Sequence, residues 1–549
     1  MSSRAAAALA ALSAAALALA WFWSSRAPCG GWVNEVFGAV LWNQSDPGGY
    51  YLVNAHELGG FRGPMLYPGH PGLTLQIALR AIQAAFYALA AAPGEGFSAF
   101  VARRLIAVFL LSKLAVAAAH AASFWLAFAF ARGLLARERA ALFAAFGYAT
   151  SLPVVYFLTR ISGEPFMMAC FFGCFAAAWE CGAALERGRR GRALAFAAAA
   201  GAASSAALVT KFHFFWPLPL LGAAALACGD AAPFSRRAPR LAGARRAALA
   251  AYLAAASATL AGASALIDWR GFFAYWGASG MDGGTLAQAR GLGLLQFAVL
   301  AAAARGAARV PLAAWLPGPT RSGLSFLCEA GFVLAAAAGA VLEWRRRGAP
   351  RARWLWPGLA GLYSLAIWAY RGLAVARDFH GFHYLFVFLG LAAVPFGRAS
   401  DEGLERLRLK TPAARAAAAA AWLALIHQPV LWAAASALAF DAASYARVRA
   451  IGDALAAAGP GGRAAVISAE PIDPIKLLGL AVIGPTPPTR SRLIEAVAER
   501  FVVLRGPELP RAAGAPIDAV VAIVSRDGVE RAEGPFTPEQ WAARSAPSD

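Results

Sequence analysis

Apolar residues in this chain are segregated into runs close to the length that crosses a bilayer core, about 20 residues. After a short polar start, Met1 to Arg4, the first run reaches Trp23. Further runs cover roughly 105–131, 140–158, 165–183, 193–210, 214–228, 247–267, 323–342, 354–370, 382–397 and 413–437. The pattern predicts a polytopic α-helical membrane protein with about eleven transmembrane helices. The first run reads as an uncleaved signal anchor, because so many spans follow it and no convincing A-x-A cleavage site does.

Charge sets the expected orientation. Arginine-rich connections fall at Arg132/Arg137/Arg139, Arg187–Arg192, Arg236–Arg246, Arg345–Arg353 and Arg398–Lys410, so every second connection is basic. Under the positive-inside rule this predicts a cytoplasmic N-terminus and an extracytoplasmic C-terminal tail. The same parity argues that Leu73–Ala92, which carries Arg80 and Gln83, lies in or against the outer interface instead of crossing alone. For 286–322 it leaves two readings open: an outer segment or a pair of crossings.

Composition excludes an ordinary soluble protein. Of 549 residues, 60% are hydrophobic and 15% charged, against roughly 25% charged in a typical globular chain. The formal charge of +20 sits in membrane loops, so it is assigned to topology and not to nucleic acid. Only four basic residues are lysine: Lys113, Lys211, Lys410 and Lys476. With abundant Ala, Gly and Pro, this points to a GC-rich genome and a bacterium, hence to the cytoplasmic membrane. The six cysteines lie mostly inside apolar runs, without C-x-x-C spacing, and read as small buried hydrophobes.

Two long segments are expected outside, which divides the chain into a transmembrane domain, 1–437, and a tail, 438–549. The first is the loop 24–104. In the tail, Arg463–Ser468, Phe501–Leu504 and Ala519–Val524 look like buried strands, with helical patterns at 441–458 and 490–500. That alternation predicts a small extracytoplasmic α/β domain. It has no glycine-rich phosphate fingerprint, and no internal repeat is visible in the chain.

The loop is the richest in functional side chains. It reads Asn43-Gln-Ser-Asp46-Pro47-Gly-Gly-Tyr50-Tyr51-Leu-Val-Asn54-Ala-His56-Glu57, and later Gly69-His70-Pro71-Gly72-Leu-Thr-Leu-Gln76. Asp46 either caps the helix that starts near Tyr50 or stands on an outer ledge as a general base. His56, Glu57 and His70 lack the i, i+4 spacing of a zinc helix. Lys113 and His120 share one face of a span, a face that must meet protein or a wet cavity, and packing accounts for them.

These loop motifs resemble the GT-C membrane glycosyltransferases, which take a sugar from a polyprenyl-phosphate carrier and include protein mannosyltransferases and lipid A aminoarabinose transferases. The resemblance rests on Asp46-Pro47…Tyr50…Asn54 with Gly69-His70-Pro71-Gly72…Leu75-Gln76. Three further stretches follow in order: Arg160-Ile-Ser-Gly-Glu164, Thr210-Lys211-Phe-His213, and Arg377-Asp-Phe-His380-Gly-Phe-His383-Tyr384. Pro47 stands where many family members have a second acid.

The resemblance implies an inverting hexosyl- or pentosyltransferase acting on the extracytoplasmic face. Its donor would be a polyprenyl-phosphate sugar and its acceptor a glycan, lipid or protein. Asp46 is then the base and Glu164 supports it or shares a divalent cation with it, the one cofactor candidate. Tyr50, His70, Lys211, His213, Arg377, His380 and His383 become the donor- and phosphate-binding groups; Lys211, His213, Arg377, His380 and His383 each have a plain alternative as an interfacial anchor. The rival classes are a secondary transporter, which would place ionisable groups at the bilayer midplane, and a lipid-linked polysaccharide polymerase or ligase.

Overall fold

The computed structural model describes 1–26, 48–58, 72–135, 137–151, 160–211, 217–228, 242–267, 334–346, 353–364, 386–407, 411–426, 443–460, 462–468, 491–505, 516–526 and 529–545, with a few single residues between. The helices of the first part are α1 (Ser3–Arg26), α2 (Gly48–Glu57), α3 (Leu73–Ala90), α4 (Phe97–Arg103), α5 (Leu105–Leu135) and α6 (Glu138–Ala149). They continue as α7 (Glu164–Glu186), α8 (Arg190–Thr210), α9 (Leu218–Cys228), α10 (Ala242–Ser264), α11 (Phe386–Arg406) and α12 (Pro412–Ile426). Residues 334–345 and 353–364 are also helical. Among the described residues six helices are long and apolar enough to cross a membrane: α1, α3, α5, α7, α8 and α10. This is a multi-pass membrane architecture.

Two apolar runs do not form the helices their lengths predict. In the run at 140–158, α6 ends after 12 residues, or roughly 18 Å, and Thr150 and Ser151 follow it in a turn, with Val154 and Phe157 helical again beyond it. Pro153 supplies the reason, since proline disfavours helix in the residue before it and clashes one turn back. The run at 382–397 instead continues as helix to Arg406, past Pro395. Its charged extension is held by Arg398–Glu402 at 3.1 Å and Arg406–Glu402 at 3.5 Å, both i, i+4 pairs.

Packing in the main bundle depends on aromatic rings set against very small residues. Phe130 of α5 stands between Phe172, at 5.3 Å, and Trp179, at 5.1 Å, both on α7. The face α8 buries is Ala193, Ala197, Ala200, Gly201, Ser204 and Ser205. A Cβ at Gly201 would lie 2.1 Å from the Tyr252 carbonyl oxygen of α10. Only glycine permits that approach, the close contact by which apolar helices associate where lipid offers no hydrophobic drive.

The basic connections gather at one end of the bundle. Ser2 donates its backbone N–H to Glu138 Oε1 at 2.7 Å. Arg137 and Arg139 pair with Asp401 and Glu405. Arg346 and Arg353 donate to the carbonyls of Leu135 and Gly133 at 2.9 and 2.8 Å. The far end of α5, a helix of 31 residues and so roughly 46 Å away, meets α2, α3, α4 and the tail instead; we call this the loop end.

The tail contains α13 (Ala443–Ala457), β1 (Ala464–Ser468), α14 (Arg492–Ala498), β2 (Phe501–Arg505), β3 (Ala519–Arg526), β4 (Val529–Phe536) and α15 (Pro538–Ser545). The sheet order is β2-β1-β3-β4, with β1 parallel to β2 and β3, and β4 antiparallel to β3. β1 to β3 fall on the three apolar runs read as strands. One face of this sheet has no separate core. Val466, Val521 and Ile523 share a buried cluster with Ile451 and Leu455 of α13, Phe100 of α4, Val108 and Phe109 of α5, and Leu52 and Val53 of α2.

Candidate functional site

The loop end is organised by α3. It starts at Gly72, whose φ is +55° and whose missing Cβ would lie 2.3 Å from the Tyr51 ring; a side chain would meet both a left-handed backbone and a clash. Beyond it, α3 lies beside α2. Arg80 donates to the His56 carbonyl at 2.8 Å and Gln83 to the Leu52 carbonyl at 3.2 Å. The His56 carbonyl, in the last turn of α2 and without a partner in that helix, is met this way. Arg80 and Gln83, topology markers in the sequence, therefore tie α3 to α2.

At its start α3 reaches the main bundle, where Thr74 Oγ1 lies 2.5 Å from Thr210 Oγ1 near the end of α8. The next residue, Lys211, places its Nζ 2.8 Å from Oε1 of Glu164, the first residue of α7. Both side chains are buried, 4% and 2% exposed. Gly163 makes room for this crossing, since a Cβ there would stand 3.0 Å from the Thr210 methyl group and 3.8 Å from Lys211 Cε. The carboxylate also sits in the first turn of α7, where the helix dipole favours negative charge. Its Oε2 has no hydrogen-bond partner among the described residues.

Around this pair the polar groups are buried. Arg160 is 2% exposed and Ser162 7%, both in the turn that leads into Glu164. Ile161 of the same turn joins the cluster that holds Tyr51, and Tyr50 and Phe166 pack on it. That shared core brings α2 and the Arg160–Glu164 turn together. His120, fully buried on α5, lies within electrostatic range of Glu164. Lys113, 2% exposed, is on the same helix.

Of the nine residues singled out from sequence, Glu164 and Lys211 are in direct contact, and Tyr50 is half-buried on α2, packed on the cluster that includes Ile161. Asp46, His70, His213, Arg377, His380 and His383 lie outside the described residues. No group of three His, Cys, Asp or Glu side chains arranged to hold a metal occurs among the described residues. At Glu164 the donor set is that of a carboxylate neutralised by an ammonium group.

The chain matches no family model and no curated protein. Solved structures do match. The ArnT aminoarabinose transferase of Cupriavidus metallidurans, bound to undecaprenyl phosphate, superposes with a TM-score of 0.51 at 13% identity, covering 95% of this chain and 97% of that one. The fold is GT-C-like. The apo oligosaccharyltransferase of Archaeoglobus fulgidus matches at a TM-score of 0.45 and 15% identity, over 93% of this chain. This chain spans 65% of that protein's length. The described polar groups lie at the loop end of the bundle, whose apolar cluster includes residues of the tail's sheet.

Proposed function

We propose that this chain is a membrane glycosyltransferase. It moves a hexosyl or pentosyl group from a polyprenyl-phosphate donor to a lipid, polysaccharide or protein acceptor at the extracytoplasmic face of a bacterial cytoplasmic membrane. The observation that carries the reading is the buried Glu164–Lys211 pair, set within a GT-C-like fold beside the helix that Asp46 leads into. The undecaprenyl phosphate in the ArnT complex supports a carrier of that class.

Transfer requires two things: a base for the acceptor hydroxyl and cations for the departing phosphate. Asp46 removes the hydroxyl proton as that oxygen attacks the anomeric carbon from the face opposite the phosphate. The bond from that carbon to the phosphate oxygen breaks, its electron pair leaves with the polyprenyl phosphate, and the sugar inverts. Lys211 is the cation already in place, and Glu164 keeps its ammonium group charged despite burial. Arg377, His213, His380, His383 and His70 supply further donors to the phosphate, and Tyr50 borders the sugar. A divalent cation at Glu164 would share the carboxylate with Lys211, whose ammonium group stands at Oε1.

The test compares glycolipids and surface polysaccharide in a deletion strain complemented with wild type or Asp46→Asn. Loss of one sugar, restored by wild type alone, is the expected result. Unchanged glycans in every strain would overturn the transferase reading; restoration by Asp46→Asn would overturn the assignment of the base.

A further inference from the structure

A second buried cluster joins the loop to the tail, away from Glu164. Glu57 ends α2 and is 5% exposed. Ser491 donates its hydroxyl to Glu57 Oε1 at 3.2 Å while also capping α14, where it accepts from the Ile494 N–H. Arg492 Nε stands 3.3 Å from Glu57 Oε2, and Arg492 Nη2 donates to the Gly60 carbonyl at 2.7 Å. The neighbouring His56 is tied to α4, stacked on Phe97 at 4.7 Å with Nε2 2.9 Å from Ser98 Oγ. Arg80 covers the other face of the junction, its guanidinium 4.4 Å from the Phe97 ring centre.

A buried carboxylate is costly unless its oxygens are met. Here Ser491 hydrogen-bonds Oε1 and the Arg492 guanidinium stands as a counter-charge beside Oε2, both from a segment more than four hundred residues downstream. The polar contacts continue the apolar cluster shared by α2, α4, α5, α13 and the sheet, so the tail is packed and also keyed to one residue of α2. That helix carries Tyr50 and begins two residues after Asp46.

We propose that Glu57 is a positioning residue through which the tail sets the placement of α2. The Glu57–Ser491–Arg492 clamp fixes the C-terminal end of α2 and thereby the register in which that helix presents Tyr50 to the substrate. This rests on the assignment of Tyr50 made above. Loss of the clamp then lowers turnover more than donor binding, because the groups it orients act in the reacting complex.

The experiment uses the full chain in nanodiscs and measures two quantities for wild type, Glu57→Gln, Arg492→Glu and the charge-swapped Glu57→Arg/Arg492→Glu. The first is hydrogen–deuterium exchange of the peptide covering 50–58, which needs no activity. The second is kcat and KM for sugar transfer. Glu57→Gln and Arg492→Glu are expected to speed exchange in 50–58 at least tenfold and to lower kcat at least tenfold, with KM within about threefold of wild type; the swap recovers part of both. Unchanged exchange would overturn the clamp, and faster exchange with unchanged kcat would overturn positioning. Should wild type itself transfer no sugar, the function proposed above fails while the exchange data still decide the clamp.

Discussion

Lys211 Nζ lies 2.8 Å from Glu164 Oε1, with both side chains buried where α7 begins and α8 has just ended. An ion pair in such a place is better evidence for a held geometry than for stability, since desolvation offsets much of its attraction. Breaking one partner is another matter. Lys211→Met leaves a buried carboxylate without its cation and is expected to cost about 3–5 kcal/mol. A lowered melting temperature in detergent would report it. The double variant Lys211→Met/Glu164→Gln should recover most of that stability and still transfer no sugar. Full activity in the double variant would remove the pair from the site.

Glu95 and Arg103 form a second buried pair, with Arg103 donating through Nε to Oε1 at 2.8 Å and through Nη2 to Oε2 at 2.6 Å. The hydrogen bonds from Arg103 hold the Glu95 carboxyl below the usual carboxylate range. This fork joins the turn after α3 to the end of α4. Arg103→Ala is expected to destabilise by about 3 kcal/mol or more, whereas Glu539→Gln, an exposed change on α15, should be close to neutral. Comparing the two melts checks it, and equal melts would contradict the role assigned to the fork.

The histidine at the junction carries a pH signature. Burial first, then the charges of Arg80 and Arg492, push His56 down to about 4 from 6.5. Its neutral ring is therefore the folded form at neutral pH. Between those values the unfolded chain binds a proton that the folded chain does not, so stability falls as pH drops from about 6.5 towards 4. Each pH unit in that window removes up to about 1.4 kcal/mol. Melting curves from pH 7 to 4.5 should show this slope in wild type and a flatter one in His56→Gln, which keeps a polar group for Ser98 but does not titrate. Parallel slopes would exclude His56 as the source.

The approach of α8 to α10 depends on Gly201, where the Tyr252 carbonyl leaves no space for a Cβ. Gly201→Val is expected to force the helices apart at a cost of about 1–3 kcal/mol. Protein yield in the membrane and melting temperature would both fall. The adjacent half-buried Ala202→Val serves as the control, and an equal loss there would show that the helix, not the contact, is at fault.

Two members of the candidate site were legible as candidates before any fold was known, for a physical reason. Chemistry needs particular side chains, and polar residues are conspicuous in a chain that is 60% hydrophobic. Glu164 and Lys211 stood out this way. Their contact did not, because nothing in the spacing of two residues on different helices tells which ends of those helices meet. In the sequence His56 and Glu57 stand out only as metal-ligand candidates without zinc-helix spacing. They are joints between α2 and elements far along the chain, and their partners Ser98, Ser491 and Arg492 are unremarkable in sequence.

The sequence by itself determined that this is a multi-pass helical membrane protein, because runs of about 20 apolar residues have no other stable solution in water or lipid. It also determined where three strands of the tail run, because strand-length apolar segments between helical patterns must be buried. The tertiary structure decided the rest. It showed that α6 stops at a proline-set turn, that α11 runs on through its charges, and that the tail has no separate core on the face turned to α2, α4 and α5. Those outcomes depend on which surfaces meet, and local pattern carries periodicity and length but not the identity of the neighbour.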